Sequence, residues 1–137
     1  MARRRMVEGE YDAASVFERL IEAADTLERI KVIDIQRNVT RWPDVVHAAI
    51  EASETNRGRR LKGPASPEAI TRMDEALIWL TWLTKDEQRI VWCRVEGLSW
   101  RRIAAFAGLA PNTCRMRARA ALVELAARLN RGERRVA

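Results

Sequence analysis

The fold is decided by residues 99–119, which read SWRRIAAFAGLAPNTCRMRAR. Two apolar helical patterns meet here across three residues, Gly108-Leu109-Ala110. Gly108 can take the positive φ that a tight turn between helices needs, and Ala104 is small enough to lie where the two helices cross. Pro111 is tolerated at the first position of a helix, and the pattern it begins continues to about Asn130. The stretch therefore predicts two helices packed at a tight corner.

The second of these helices is predicted to carry a cationic outer face. Its inward positions are apolar or small: Cys114, Ala118, Ala121 and Leu122. The helical period leaves four side chains facing outward: Asn112, Arg115, Met116 and Arg119. Two short helices joined by a tight turn in this way form a helix-turn-helix. In this motif the amino-terminal half of the second helix enters the major groove of DNA. Arginine can donate two hydrogen bonds to guanine and asparagine can pair with adenine, so we expect these four residues to contact bases.

A second set of side chains suits the phosphate backbone of the duplex. Arg101 and Arg102 open the first helix of the pair, which crosses the backbone in this motif. Thr113 lies in the first turn of the second helix, and Arg117 lies to its side. No Asp or Glu occurs from Trp100 to Val123, which disfavours the alternative that these arginines only form a charge-balanced, solvated face. We therefore expect Arg101, Arg102, Thr113 and Arg117 to contact phosphates.

Local signals predict two more helices immediately before this pair. Ser66-Pro67-Glu68 combines a hydroxyl cap, a proline at the first helical position and an acid in the first turn. The apolar period that follows continues to about Leu83. Thr84-Lys85-Asp86-Glu87 is a capping box that begins another helix, and Gly97 ends it. Residues 67–137 are thus predicted to form a four-helix domain.

The amino-terminal part of the chain also predicts helices. Residues 12–31 place apolar side chains at three- and four-residue steps, with Asp12 as the cap, and this pattern indicates an amphipathic helix. Residues 32–41 fit either a short strand or a connection. Trp42-Pro43-Asp44 predicts the start of a short helix that ends near Ala52, with Pro43 at its first position.

Residues 53–66 have no hydrophobic period and contain four basic side chains, so they predict a basic linker. We expect an all-α protein with three parts: a helical amino-terminal segment (1–52), the basic linker (53–66) and a carboxyl-terminal helix-turn-helix domain (67–137). The helix over 12–31 offers an apolar face for contact with a second copy, so a homo-oligomer formed through it is a further expectation.

Charge favours an anionic partner. The 137 residues carry 25 Lys and Arg against 19 Asp and Glu, a net charge of +6. Residues 85–137 hold twelve basic and five acidic side chains, hence +7, whereas residues 1–84 hold thirteen and fourteen, hence −1. The basic character therefore coincides with the predicted helix-turn-helix.

Residues suited to catalysis or metal binding are scarce. Cys93 and Cys114 fall inside apolar helical patterns and are expected to be reduced core thiols. His47 is the single histidine. No apolar run approaches the length that crosses a bilayer, and the basic start of the chain precedes acidic residues rather than a hydrophobic stretch. We expect a cytoplasmic protein that is not an enzyme and needs no metal or cofactor.

The tryptophans allow two interpretations. Trp79, Trp82, Trp92 and Trp100 fall on or beside apolar helical faces, which favours a place in the core over a role as stacking platforms for single-stranded nucleic acid.

The stretch from Leu83 to Leu129 resembles region 4 of sigma-70-type initiation factors. The resemblance is carried by the Glu96-Gly97-Leu98-Ser99 sequence, the aromatic Trp100, the Ile103-Ala104 pair, the Gly108-Leu109 turn, Thr113 and the Arg115-Met116-Arg117 triplet. It implies a four-helix DNA-binding domain. Arg101-Arg102 and Pro111-Asn112 depart from the family pattern, and the upstream helices of a complete sigma factor are lacking. The whole chain is also similar to an uncharacterised helix-turn-helix family of phages and prophages in alphaproteobacteria.

These observations predict a small transcriptional regulator of phage or prophage type that binds double-stranded DNA in the nucleoid. Two alternatives belong to other classes. A small terminase subunit, which is a DNA-packaging adaptor, would assemble into a ring. A sigma-like module that contacts RNA polymerase would bind the polymerase with negligible affinity for DNA.

Overall fold

The computed structural model describes residues 10–30, 42–48 and 64–132. Its helices are α1 (Ala13–Arg29), α2 (44–48), α3 (Pro67–Leu80), α4 (Lys85–Val95), α5 (Trp100–Ala107) and α6 (Pro111–Asn130). No strand occurs in these three ranges, and the predicted all-α fold class is confirmed. The predictions for residues 32–41, for the end of α2 near Ala52 and for the basic side chains of the linker lie outside the described residues.

Helices α1, α3, α4 and α5 begin immediately after residues that cap them, and these caps are local. Asp12 and Ser15 form a capping box at α1, and Thr84 and Glu87 form another at α4. Ser66 accepts a hydrogen bond from the Ala69 amide, and Ser99 caps α5 in the same way. Each side chain satisfies a backbone N–H that has no partner inside its own helix.

Three predicted boundaries differ from the structure, and one of them is the end of α1, which lies at Arg29 rather than at residue 31. Helix α3 ends at Leu80 rather than near Leu83, because the next three amide N–H groups donate to carbonyls three residues earlier and tighten the chain into turns. Helix α2 begins one residue later than predicted. The carbonyl of Pro43 accepts from the amides of Val46 and His47, so Pro43 precedes the helix rather than occupying its first position.

Helix α1 packs into the same core as α3 and α6. Val16 and Leu20 are fully buried, and so are Leu77 and Leu80 on α3 and Leu125 on α6. The apolar face of α1 is therefore occupied within its own chain.

Polar contacts at the edges fix the position of α1. Arg19 donates to Glu75 at 3.0 Å and lies over the ring of Trp79, while Arg72 pairs with Glu22 at 2.9 Å. At the start of the helix the Tyr11 amide donates to Asn130 Oδ1 at 2.7 Å, and Asn130 Nδ2 donates to the Tyr11 carbonyl at 2.9 Å. The start of α1 is thereby joined to the end of α6.

Candidate nucleic-acid interface

Helices α5 and α6 form a corner across residues 108–110. Gly108 has φ of 72° and donates its N–H to the carbonyl of Ala104 at 3.0 Å, which ends α5 in the left-handed conformation. Ile103 and Ala104 of α5 are buried, and so are Cys114 and Ala118 of α6. The small side chains predicted for the crossing are thus inside it.

The packing of α6 leaves its amino-terminal half uncovered on the outer side. All four side chains predicted to contact bases are exposed: Asn112, Arg115, Met116 and Arg119. The four predicted to contact phosphates are exposed too: Arg101, Arg102, Thr113 and Arg117. We call these eight residues the α5–α6 surface.

A short chain of side-chain contacts joins three members of this surface. Arg115 Nη2 donates to Asn112 Oδ1, and Asn112 Nδ2 donates to the sulfur of Met116 at 3.6 Å. The amide of Asn112 therefore holds Arg115 on one side and Met116 on the other. The sequence pattern does not reveal this arrangement, although it contains the three- and four-residue spacings that permit it.

The arginines of the α5–α6 surface carry uncompensated charge within the described part of the chain. No carboxylate of residues 10–30, 42–48 or 64–132 forms an ion pair with Arg101, Arg102, Arg115, Arg117 or Arg119. Helices α5 and α6 together hold six arginines and only Glu124 as an acid, hence +5. Helices α1 and α3 hold seven acids and three arginines, hence −4. Among these four helices the positive charge is therefore concentrated on α5 and α6 and the negative charge on α1 and α3.

Helix α6 begins without a side-chain cap, because Ala110 occupies the N-cap position. The first-turn amide N–H groups, including that of Thr113, are thus left available to an acceptor such as a phosphate oxygen.

Arg117 extends to the other side of α6, where it lines a shallow groove of about 150 Å³. The groove is also lined by Asp86, Arg89, Ile90, Phe106, Ala107 and Leu109. The guanidinium of Arg89 lies 5.4 Å from the centre of the Phe106 ring, which is 41% exposed. The sequence pattern gives no sign that Phe106 would lie outside the core, since it falls within the apolar period of α5.

The tryptophans are largely part of the core, as predicted. Trp79 and Trp92 are buried. Trp82 and Trp100 are half-buried, and their rings are covered by the guanidinium groups of Arg128 and Arg94, each at 4.6 Å. Arg128 is therefore engaged in packing rather than extended toward the α5–α6 surface.

Both cysteines are free thiols, as predicted, but only Cys114 is buried. Cys93 is partly accessible, and burial raises the pKa of its thiol. In the described ranges no three His, Cys, Asp or Glu side chains are grouped as metal ligands. None of the described helices combines the length and the apolar character that a bilayer span requires.

The fold and the exposed surface define a small all-α protein with a cationic two-helix corner. Residues 28–125 match the family described as domain of unknown function (DUF6362). This match covers more than half of the chain, so the chain belongs to that family. No curated protein and no solved structure matched the chain.

Proposed function

We propose that this protein binds double-stranded DNA in a sequence-specific manner and acts as a small transcriptional regulator of phage or prophage type. The observation that carries the proposal is the α5–α6 surface, where five exposed arginines have no ion-pair partner among the described carboxylates. A cationic surface on a helical corner matches the charge and the width of the major groove. The resemblance to sigma region 4 supports the same interpretation.

In the proposed complex, α5 and α6 act as a helix-turn-helix. The amino-terminal half of α6 lies in the major groove, where Arg115 and Arg119 donate to guanine and Asn112 and Met116 complete the base-contacting set. Arg101, Arg102, Arg117 and Thr113 contact phosphates and fix the register of the helix on the duplex. Such a protein works in the cytoplasm, on the nucleoid.

The decisive experiment is selection of bound duplexes from a random pool at about 150 mM salt, a concentration at which purely electrostatic binding is weak. We expect one enriched motif, whose symmetry reports whether one or two copies bind. A pool that shows no enrichment, with equal affinity for all duplexes, would contradict sequence-specific binding.

A second candidate function is contact with another protein, such as RNA polymerase. The groove between Phe106, Ile90 and Leu109 favours it, because it exposes the Phe106 ring beside two arginines and Asp86. This function predicts polymerase binding that is lost in Phe106→Ala while affinity for duplex DNA is negligible in both proteins.

A packaging adaptor is separated from a regulator by the size of the protein in solution. The apolar face of α1 is buried within the chain, so a homo-oligomer formed through this helix has to use its outer side, where Ile21 is 44% exposed. A ring of about eight or more copies would favour packaging, and a monomer or dimer favours regulation.

A further inference from the structure

Met116 is the most exposed of the large hydrophobic side chains that the structure describes. It is 62% exposed on α6, one turn after Asn112 and between Arg115 and Arg117 in the chain. A single exposed apolar residue is ordinary on a protein surface. Met116 differs in its setting, because Arg115 and Arg117 are its neighbours in the chain and the helix that carries it is the one proposed to enter the major groove.

Met116 is also held in place. A methionine has three rotatable side-chain bonds, and fixing them on binding costs conformational entropy. The contact between its sulfur and Asn112 Nδ2 at 3.6 Å restricts the side chain before any ligand arrives. The other end of the same amide accepts from Arg115, so both polar groups of Asn112 are already used in the free protein. In the free protein Asn112 therefore acts on its two neighbours, and its second N–H and second acceptor position are left for a base.

The chemistry of the major groove indicates what a fixed thioether beside an arginine would recognise. Among the four bases only thymine presents a methyl group there, at C5, and apolar side chains pack against it. Guanine presents the two acceptors that suit Arg115. Because one amide joins Arg115 to Met116, the two side chains reach base pairs within about two steps of each other, at about 3.4 Å per step.

We propose that Met116 contacts the C5-methyl group of a thymine next to the guanine contacted by Arg115, and that Asn112 positions both side chains. This inference rests on the proposed function, since it names the feature of duplex DNA that the α5–α6 surface distinguishes.

The test replaces thymidine by deoxyuridine, one position at a time, in the duplex enriched from the random pool. Deoxyuridine keeps the base pair and removes only the C5-methyl group. We expect one position at which the substitution weakens binding of the wild type about fourfold, which corresponds to about 0.8 kcal/mol for one buried methyl-sized group. Met116→Ala is expected to weaken binding to the thymidine duplex to a similar extent and to lose the preference for thymidine at that position alone.

Two further variants complete the experiment. Asn112→Ala is expected to lower the preference for thymidine when Met116 is present and to have no effect on this preference in the Met116→Ala background. This coupling would show that Asn112 affects the recognition of thymidine by positioning Met116. A general effect of Asn112→Ala on the fold would not depend on whether Met116 is present. Ile21→Ala, which truncates an exposed apolar side chain on α1, is the matched control and is expected to keep the full preference.

The possible failures are distinguishable. If no duplex is enriched, the proposed function and this inference both fail. If a motif is enriched but no thymidine position is coupled to Met116, the inference alone is wrong. Equal losses for Met116→Ala on thymidine and deoxyuridine duplexes also overturn it, because the methyl group is then not the partner of Met116.

Discussion

At the scale of single residues, the two kinds of arginine on the α5–α6 surface are expected to differ in what they contribute. Arg115 projects from the exposed side of α6, whereas Arg101 lies in the first turn of α5. A side chain that donates to base edges distinguishes sequences, while a side chain that contacts phosphates does not.

The first prediction compares Arg115→Ala with Arg101→Ala. The former is expected to lose about 1–3 kcal/mol of binding free energy on the enriched duplex and little on random duplexes, because it removes a base contact. The latter should weaken binding to both duplexes alike and lower the slope of log affinity against log salt by about one. Fluorescence anisotropy titrations over a range of salt concentrations measure both effects. Equal losses on the two duplexes for Arg115→Ala would contradict its role.

Glu96, just after α4, provides a pH-dependent prediction. Partial desolvation of its carboxyl group raises the pKa of Glu96 above its ordinary value of 4.5, and the nearby carboxylate of Glu28 raises it further. The folded protein therefore holds this proton more tightly than the unfolded chain. Linkage then requires that the contribution of Glu96 to the free energy of unfolding falls as the pH rises above about 4.5.

We accordingly expect Glu96→Gln to be more stable than the wild type near neutral pH and equal to it well below pH 4.5. The gain should be modest, since Glu96 is exposed and solvent screens its charge. Urea unfolding at a series of pH values measures the difference. A difference that does not change with pH would assign the effect to packing instead of ionisation.

At the scale of elements, the corner between α5 and α6 depends on the backbone of Gly108. A β-carbon built at this residue would meet no atom within 4 Å, so any cost of substitution comes from the positive φ alone. Non-glycine residues pay about 1–2 kcal/mol in this region, and asparagine tolerates it better than alanine.

Gly108→Ala is therefore expected to lower the free energy of unfolding by about 1–2 kcal/mol, and Gly108→Asn by less. Urea midpoints of the two variants check this order. Equal stability of wild type and Gly108→Ala would show that the turn does not require the left-handed conformation.

Helix boundaries were largely predictable from the sequence, because capping is decided by residues within one turn of each other. Asp12, Ser66 and Thr84 form their cap hydrogen bonds as predicted. The exposure of Phe106 was not predictable, since an apolar residue in a helical period fits the core as well as the surface. Its position depends on how α5 lies against α4 and α6.

At the scale of the whole molecule, α1 and the carboxyl-terminal helices share one core. Leu20 is fully buried in this cluster, and Trp92 on α4 is 1% exposed in the same cluster. A loss of packing at α1 should therefore also destabilise the helices that carry the α5–α6 surface.

Leu20→Ala is expected to lower the free energy of unfolding by about 2–5 kcal/mol, because it removes buried methyl groups and leaves a cavity. Ile21→Ala, on the exposed side of the same helix, should change it by less than about 0.5 kcal/mol. Tryptophan fluorescence during urea unfolding should show a single transition in each protein. Two separated transitions would show that α1 and the carboxyl-terminal helices unfold independently.

The all-α class, the caps, the corner at Gly108 and the arginines on one side of α6 follow from the sequence, since each depends on neighbouring residues or on the helical period. Three features are visible only in the folded protein: α1 buries its apolar face against α3 and α6, Arg128 covers Trp82, and Asn112 joins Arg115 to Met116. The first two depend on residues distant in the chain. The third depends on the choice of side-chain rotamers, which a three- or four-residue spacing permits but does not fix.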